Sequence, residues 1–391
     1  MIEVPFGHIA LWAHEEGLTL AGIASVEPLL DDRVRLSRWQ ELGFAGEMAF
    51  MKRSPEMFTS LEHFLPSAQS VAVFTVRYDH RRVEEPHIGF GRVARYAWGR
   101  DYHEVLKQRL ARVMERVRRE TGREVESRAF SDSVPLLERA LARRAGGGFI
   151  GKNTMFIAPG VGSFLFLSEI VWNVRVVDIP SPKPLPSNTC GGCTNCLERC
   201  PTNAFVDAFT LDAAKCIAYL TIEKRSALTV TERLGLGSWV FGCDVCQEVC
   251  PYNFVSLKRG GRAQIDELHE SEGVGPFLAL HEIIQMRSDY EFTARFGGTA
   301  LMRAKRAGLV RNAAIVAANT CAVGTLRDLI SAAENDESGL VRQHAVWAAH
   351  RLARLDGTES AARVAMVCDR LRSDKDMAVR EEVRGLDGFG A

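Results

Sequence analysis

Residues 190–201 read CGGCTNCLERCP, and residues 243–251 read CDVCQEVCP. In the first run, cysteines separated by two, two and three residues end at a proline, which is the pattern of bacterial ferredoxins. Three thiolates of such a run bind one cubane cluster, and the fourth turns to a second cluster. The two segments therefore predict a ferredoxin-like domain with two [4Fe–4S] clusters, and hence an electron-transfer protein or a reductase.

The second run lacks its first cysteine, because Val240 stands in that place, and the upstream Cys216 can fill the vacancy. We therefore predict two ligand sets. Cluster I takes Cys190, Cys193, Cys196 and Cys250, and cluster II takes Cys200, Cys216, Cys243 and Cys246. Structural zinc is the alternative, since zinc also binds CxxC pairs, but eight cysteines with two Cys-Pro endings favour clusters. We expect the other two, Cys321 and Cys368, to be buried apolar side chains.

The composition sets broad limits on the class of protein. A chain of 391 residues suggests two to four domains at roughly 100–200 residues each. The formal net charge is zero, so a nucleic-acid or membrane contact would need a local patch. The first 15 residues do not resemble a signal peptide, and no stretch resembles a membrane-spanning helix. We expect a cytoplasmic protein without membrane contact, where clustered cysteines are typical metal ligands.

The pattern of residues predicts an α+β multidomain chain. Residues 1–180 mix helices, expected at 106–119 and 134–145, with apolar strands such as 70–76. The proline-rich PSPKPLP at 180–186 predicts a linker to a ferredoxin-type domain over 181–255. In residues 256–391, Val-Arg pairs recur after 31 and 38 residues, at 310–311, 341–342 and 379–380. This spacing favours HEAT-like helical repeats, with a plain helical bundle as the alternative.

Further motifs flank the cysteines in a specific order. They are YAWGRDYH at 96–103, SDSVPLLERA at 131–140, GKNT at 151–154 and CIAYLTIE at 216–223. With the cysteine runs and the helical tail, this order resembles epoxyqueuosine reductase in its longer form, over residues 46–357. The resemblance implies an oxidoreductase that uses cobalamin and two clusters to reduce epoxyqueuosine to queuosine at the tRNA wobble position.

The resemblance also implies a cofactor site in an α/β cobalamin-binding domain over residues 1–180. The implied corrinoid contacts are Tyr96, Ala97, Asp132, Gly151, Lys152, Asn153, Gly162, Ser163, Cys243 and Asp244. Glycine amides allow the close approach of a large ligand, although tight turns alone would also explain these glycines. The DxHxxG motif is absent, since Leu106 stands where its glycine should be, so no protein ligand to cobalt is predicted. The resemblance implies base-off cobalamin. His103 is therefore expected to be a structural or substrate-side residue.

Asp132 matches the family's proposed proton donor. Opening an epoxide reductively takes two electrons and a proton, and the leaving oxygen needs an acid beside it. To hold a proton near neutral pH, the carboxyl needs burial or a neighbouring anion. We expect residues 134–137 to form an apolar surround. One departure from the family is that Phe58 and Leu61 replace its usual arginine and proline, so no cofactor contact is assigned there.

Basic residues are candidates for tRNA phosphate contacts. They are Lys224, Arg225, Arg303, Lys305, Arg306 and Arg311, with Arg139, Arg143 and Arg144 beside the acid. The alternative is that these are solvated charged faces. We further expect a monomer that takes electrons from a flavodoxin- or ferredoxin-type donor.

Two other functions compete with this interpretation. One is a different corrinoid-dependent reductase, such as a dehalogenase, although those usually carry a twin-arginine signal. The other is a ferredoxin-type electron carrier on a helical scaffold, which leaves residues 1–180 without a purpose.

Overall fold

The computed structural model describes residues 2–78, 81, 83–181, 185, 189–259, 261 and 263–387. Most of the predicted proline-rich linker lies outside these residues. The strands are β1 (Ile2–Pro5), β2 (Thr19–Ala24), β3 (Ser70–Arg77), β4 (Phe90–Val93), β5 (Ser127–Phe130), β6 (Phe149–Ile150), β7 (Phe156–Ile157), β8 (Leu165–Trp172), β9 (Val174–Val177), β10 (Phe205–Asp207), β11 (Thr210–Leu211), β12 (Trp239–Phe241) and β13 (Phe277–Ala279).

The helices alternate with these strands at first and follow one another near the end of the chain. They are α1 (Phe6–Glu15), α2 (Leu30–Glu41), α3 (Pro55–Thr59), α4 (Tyr102–Thr121), α5 (Glu138–Arg144), α6 (Asn195–Glu198), α7 (Ile217–Ile222), α8 (Val230–Gly235), α9 (Val245–Glu248), α10 (Pro251–Arg259), α11 (Leu280–Ile284), α12 (Asp289–Phe296), α13 (Lys305–Asn319), α14 (Leu326–Asn335), α15 (Gly339–Asp356), α16 (Thr358–Leu371) and α17 (Met377–Asp387). Short 3₁₀ turns lie at Ala49–Lys52, Arg95–Ala97, Ala213–Lys215, Asp266–Leu268, Glu270–Glu272, Ala300–Ala304 and Val323–Thr325. Within the described ranges, no helix combines the length and the apolarity that crossing a membrane requires.

The chain packs into two compact units, and each draws on separate stretches of sequence. The first unit is residues 1–82, 98–213 and 244–273, and the second is 83–97, 214–243 and 274–391. The packing therefore does not follow the three consecutive ranges into which the sequence pattern divides the chain. Two internal segments, 83–97 and 214–243, pack with the C-terminal helices.

The first unit is built on an antiparallel sheet in the order β2-β3-β8-β5. The predicted strand at 70–76 is confirmed, since β3 is buried along its length except at its last residue. In its partner β8, the pairing register places Glu169 between Val73 of β3 and Phe130 of β5. This register brings an acidic side chain to the end of β5, where the chain leaves the sheet.

Two helices of this unit pack on β8 and position the segment around Asp132. The helix predicted at 106–119 is confirmed as α4. The Asp101 side chain caps its N-terminus, and the helix ends at Gly122, whose backbone is in the left-handed conformation. The helix predicted at 134–145 begins later than expected, at Glu138. Residues 131–137 instead form an irregular segment that is tied to another part of the unit, because the Leu137 N–H donates to the Phe58 carbonyl.

The two cysteine runs adopt matching backbone conformations around helices α6 and α9, which both lie in the first unit. The four-residue helices α6 and α9 follow Thr194 at φ −123°, ψ 4° and Asp244 at φ −111°, ψ 3°. They end at Arg199 and Val249, with φ −89° at both and ψ −2° and −1°. Helices α6 and α9 also contact each other. The sequence repeat of the cysteine runs is therefore also a structural repeat.

The second unit combines a three-stranded sheet, ordered β12-β4-β13, with the C-terminal helices. The three valines of the Val-Arg repeat are buried. Arg342 donates to the Asp336 carbonyl, and Arg380 donates to the Asp374 carbonyl, so the last two copies make the same contact six residues back. Arg311 instead bonds to residues 220–226. The equivalent contacts support repeated helical hairpins, and their HEAT type stays a prediction.

A buried ion pair in these helices gives a test of the packing. Arg342 donates to Asp374 at 2.8 and 2.7 Å, and the two side chains are 4% and 8% exposed. We expect Asp374→Ala to lower the free energy of unfolding by about 3 kcal/mol, because it leaves a buried guanidinium without its counter-charge. Asp369→Ala is the control, since its pair with Arg372 is exposed and should change stability by less than about 0.5 kcal/mol. Equal melting temperatures for the two variants would contradict this account.

Candidate active site

Asp132 lies in the irregular segment between β5 and α5. Its φ of 50° is in the left-handed region, which aspartate tolerates better than most residues do. Its Oδ2 accepts a hydrogen bond from the Tyr102 hydroxyl at 2.7 Å, and its side chain is 73% exposed. The expected apolar surround is wrong, because Leu136 and its neighbours pack into the core of the unit. The carboxylate is therefore held from one side and open to an incoming ligand.

His103 stands next to Asp132 in a fixed orientation. Asp101, at the start of α4, accepts hydrogen bonds from the His103 backbone N–H at 3.1 Å and contacts Nδ1 at 2.7 Å. The other ring nitrogen, Nε2, lies 4.0 Å from Asp132 Oδ2. Burial by itself would lower the pKa of His103, but the hydrogen bond and charge of Asp101, with Asp132 and Glu138, raise it. These contacts hold the His103 ring beside the exposed acid.

Glu138 and Glu169 form a carboxyl pair behind Asp132. Glu169 is fully buried, and no N–H or O–H group among the described residues donates to either of its oxygens. For the carboxyl groups of Glu169 and Glu138 to share a hydrogen bond, one of them must hold a proton. Burial, followed by the charge of Asp132, raises the pKa of Glu138 to about 8. Burial and the charge of Glu138 raise the pKa of Glu169 well above its ordinary value.

The carboxyl pair is connected to Asp132 through the backbone. Glu138 Oε1 accepts a hydrogen bond from the Asp132 N–H at 2.5 Å. The next residue, Arg139, donates to the carbonyl and hydroxyl oxygens of Thr154, and its charge also interacts with Asp132 and Glu138. The site thus places three carboxyl groups and one imidazole at the end of β5.

The first predicted cysteine set lines a single cavity of about 290 Å³ in the first unit. Cys190, Cys193, Cys196 and Cys250 all border it. Burial raises the pKa of the Cys250 thiol to about 11, and the charges of the other three cysteines add to this rise. Four thiols that share one cavity fit the donor set of a cubane cluster.

Lys152 and Asn153 hold the cysteine loops. The Lys152 ammonium donates to the carbonyls of Gly191 at 2.7 Å and Cys193 at 3.0 Å. The buried Asn153 side chain donates to the Cys246 carbonyl at 3.2 Å. Both residues were predicted to contact the corrinoid; their side-chain polar groups bind the cysteine loops, and the corrinoid contact stays a prediction.

Gly162 and Ser163 are engaged by Asn253. The Asn253 Oδ1 accepts from the Ser163 N–H at 2.8 Å, and a Cβ on Gly162 would lie only 2.1 Å from that oxygen. The Ser163 hydroxyl also donates to Gln247, and Ser163 is 1% exposed. A buried network thus uses the polar groups of Ser163, and the predicted corrinoid contact of these two residues stays a prediction.

The remaining predicted corrinoid residues have separate local settings. Gly151 is buried against Ile157, and Asp244 is 1% exposed just before α9. In the second unit, Ala97 is 1% exposed and the half-buried Tyr96 ring lies 6.1 Å from that of Phe241. The half-buried Cys243 follows β12. Their role with a cofactor stays a prediction.

The other cysteines vary in exposure. Cys200 Sγ accepts a hydrogen bond from the Ala204 N–H at 3.3 Å, and Cys216, Cys243 and Cys246 are half-buried. Cys368 is buried as expected, but Cys321 is exposed, so that expectation is wrong for Cys321. It has a φ of 54° immediately after α13, where the chain turns at the surface.

Two of the predicted tRNA contacts are wrong because the side chains are buried. Arg311 is fully buried and donates to the carbonyls of Leu220 and Lys224. Arg306 is 2% exposed and forms a two-point ion pair with Asp336 at 2.8 and 3.0 Å. Both guanidinium groups hold the second unit together and leave no donor for a phosphate.

The other predicted cations are nearer to the surface. Lys224 is half-buried and pairs with Glu232 at 2.7 Å, which occupies its ammonium. Arg225, Arg303 and Lys305 are exposed. Arg225 donates to the Ala304 carbonyl at 2.8 Å, and Arg303 pairs with Glu223 at 2.8 Å. The phosphate contacts of these three residues stay a prediction.

Several groups of the site were missed by the sequence analysis. Tyr102 and Glu138 belong to the motifs, but no role was assigned to either of them. Glu169 was not considered, although a single acid within the apolar strand LFLSEIVW is a recognisable signal. Its pairing with Glu138, in contrast, could be found only from the fold.

Comparisons with known proteins agree with this geometry. Two family models match: "4Fe-4S double cluster binding domain" over residues 189–253 and "Epoxyqueuosine reductase QueG, DUF1730" over residues 59–133. An epoxyqueuosine reductase of Pseudomonas aeruginosa is 36% identical, with 87% of this chain and 92% of the relative covered. Another, of Synechocystis, is 38% identical, with 75% of this chain and 98% of the relative covered.

Solved structures match over 98% of both chains. One, at 26% identity and a TM-score of 0.85, is an epoxyqueuosine reductase with an epoxyqueuosine-modified tRNA-Tyr stem loop. Another, from Bacillus subtilis, has 25% identity and a TM-score of 0.83, and its aspartate catalytic loop is swung out of the active site. Fold, cysteine motifs and acid site together define an iron–sulfur oxidoreductase. More specifically, the chain belongs to the epoxyqueuosine reductase family.

The raised pKa values of the carboxyl pair predict how stability depends on pH. The folded state keeps protons that the unfolded chain releases above the ordinary glutamate pKa of 4.5. The free energy of unfolding that the pair contributes is therefore fully present below pH 4.5 and is lost as pH rises through about 8. The loss amounts to about 1.4 kcal/mol per pH unit for each proton. We expect Glu169→Gln to melt at a temperature that depends less on pH between 5 and 8.5. A slope equal to that of the exposed control Glu62→Gln would contradict the assignment.

Proposed function

We propose that this protein reduces epoxyqueuosine to queuosine at the wobble position of tRNA, using cobalamin and two [4Fe–4S] clusters. The observation that carries the proposal is Asp132, an exposed carboxyl held by Tyr102 and backed by a carboxyl pair. The membership of the chain in the epoxyqueuosine reductase family supports the substrate. So does the related structure that holds an epoxyqueuosine-modified stem loop.

The proton balance of this reaction defines the role of Asp132. Removing an epoxide oxygen as water, and leaving a carbon–carbon double bond, consumes two electrons and two protons. Asp132 gives a proton to the oxygen as its carbon bond breaks, which prevents the build-up of an alkoxide charge. The Tyr102 hydroxyl donates to Asp132 Oδ2 and fixes the carboxyl orientation. Proton transfer then occurs from the oxygen that Tyr102 does not contact.

The clusters supply the electrons one at a time. The four thiols around the 290 Å³ cavity support the assignment of cluster I to Cys190, Cys193, Cys196 and Cys250. Cluster II is assigned to Cys200, Cys216, Cys243 and Cys246 from the spacing of the motifs. The Lys152 ammonium, bound to two carbonyls of the first loop, adds positive charge close to cluster I. A flavodoxin- or ferredoxin-type protein is the proposed donor to the clusters.

Cobalamin is the group whose chemistry the reaction requires next to Asp132. The 73% exposure of the Asp132 side chain supports this placement, because it leaves room for a large cofactor and a substrate. Tyr96, Ala97, Gly151, Cys243 and Asp244 remain the proposed holding residues, and base-off binding is proposed. When bound, a strongly reduced cobalt centre supplies a nucleophile toward an epoxide carbon.

The tRNA would be held through phosphate contacts and shape. Arg225, Arg303 and Lys305 are the exposed cations of the second unit proposed for this role. A modified anticodon base can be splayed out of its loop, which lets it reach a pocket while the stem stays paired. We propose a cytoplasmic monomer as the working form.

Asp132→Asn tests the proton donor directly. We expect turnover to fall at least 100-fold, because general acid catalysis typically contributes about 10²–10⁴. The assay is anaerobic conversion of epoxyqueuosine in tRNA, with reconstituted clusters, cobalamin and a chemical reductant. Asp178→Asn is the matched control, since Asp178 is also exposed and also has a positive φ. Full turnover by Asp132→Asn with cobalamin bound would show that Asp132 is not the proton donor.

The same assay on the unmodified protein separates the competing functions. Cobalamin binding by the unmodified protein without conversion would indicate a sister corrinoid reductase, and no binding would favour an electron carrier.

Cys250→Ala tests the cluster I assignment. We expect this variant to lose about half of its iron and labile sulfide and one of two reduced-cluster signals in electron paramagnetic resonance. The reason is that a cubane cluster needs its fourth thiolate. Cys321→Ser is the control, because Cys321 is exposed and lies in neither ligand set. An unchanged iron content in Cys250→Ala would refute the assignment.

A further inference from the structure

The carboxyl pair of Glu138 and Glu169 has no function in the chemistry described above. Burying a carboxyl group without a cation or donor is costly, so such groups are rare in folded proteins. Glu169 is fully buried, and within the described residues no N–H or O–H group donates to its oxygens. A cost of this kind points to a use for the proton that such a pair must hold.

The fold directs this pair toward Asp132. The sheet register sets Glu169 opposite Phe130, two residues before Asp132. Glu138, the first residue of α5, accepts the Asp132 N–H at 2.5 Å. Glu138 therefore lies between the buried Glu169 and the exposed Asp132.

The surrounding charges favour a proton on the pair. Burial raises the pKa values of both glutamates, and the charge of Asp132 raises them further when Asp132 is a carboxylate, as it is after giving its proton. The charge of His103, on α4, acts in the opposite direction on Glu138. Arg139 is the basic neighbour on α5, and it donates to the oxygens of Thr154. At neutral pH the pair thus stays protonated within a cluster of acids.

We propose that the pair of Glu138 and Glu169 stores the second proton of the reaction and passes it to Asp132 through Glu138. This proposal rests on the proposed function, in which the epoxide oxygen leaves as water. Asp132 gives its proton as the first carbon–oxygen bond breaks and becomes a carboxylate. The stored proton then passes from the pair to Asp132 through Glu138, and Asp132 protonates the oxygen again as the second bond breaks. Two protons and two electrons are consumed, one proton from Asp132 and one from the pair, and solvent returns one proton to Asp132 and one to the pair after product release.

Glu138 and Glu169 act through Asp132, so the test needs a readout that a purely structural role would not change. The first readout is the turnover of epoxyqueuosine-containing tRNA by the reconstituted holoenzyme between pH 6 and 9. We expect turnover of the unmodified enzyme to fall as pH rises through about 8, where Glu138 loses its proton. Glu169→Gln should lower turnover at pH 7 about tenfold and should shift the pH at which turnover falls by at least one unit. Glu62→Gln should match the unmodified enzyme.

The second readout needs no activity. Infrared difference spectra of the holoprotein should contain the band of a protonated carboxyl at pH 7, which disappears on raising the pH above 8 and is weaker in Glu169→Gln. If the unmodified enzyme does not convert the substrate, the proposed function fails, while this band still tests whether the pair holds a proton. If the band is absent, the proposal that the pair stores a proton is overturned.

Two further variants separate the pair from other proton sources. Glu138→Ala should be slow and should regain turnover when formate is added, because a small acid can replace the missing carboxyl. His103→Gln tests the neighbouring imidazole, whose Nε2 lies 4.0 Å from Asp132. If His103→Gln moves the pH profile and Glu169→Gln does not, the proton comes from His103 and the proposal is overturned. An unchanged profile in Glu169→Gln, in an enzyme that converts the substrate, also overturns it.

Discussion

The pairing of β8 at the centre of the first unit's sheet is the constraint on which the acid site depends. Strand β8 bonds to β3 on one side and to β5 on the other, so each of its residues has a fixed neighbour on both strands. A shift of one residue would move Glu169 to the opposite face of the sheet. Because the apolar neighbours of Glu169 must stay buried, the register holds and the acid stays beneath α5.

This constraint extends to the segment that carries Asp132. Strand β5 ends at Phe130, and helix α5 begins at Glu138, so the residues between them span a short distance across the sheet. Asp132 in that segment bonds to the side chains of the first residues of two helices, Tyr102 of α4 and Glu138 of α5. The reactive carboxyl therefore lies on a loop whose two ends are fixed by rigid elements, which is a common arrangement for catalytic groups.

The cysteine loops follow a different principle, since side chains from outside the loops hold their backbone. Lys152 and Asn153 donate to loop carbonyls, and Asn253 fixes the neighbouring turn at Gly162. These polar groups hold the backbone of the cysteine loops in place through its carbonyl oxygens. The motif GKNT thus supports the first cysteine loop, although its lysine and glycine resemble a ligand-binding turn when seen in sequence alone.

The sequence by itself determined the two cysteine runs, the strand at 70–76, the helix that became α4 and membership in the family. These features depend on local spacing or on short-range periodicity, which the order of residues records directly. The tertiary structure alone decided that Arg306 and Arg311 are buried, because an arginine in a basic stretch has the same local pattern whether it faces water or a carbonyl. It also decided that Glu169 meets Glu138, which are 31 positions apart and come together only through the register of the sheet. Burial and long-range pairing are properties of the packed chain, and a single sequence does not specify them residue by residue.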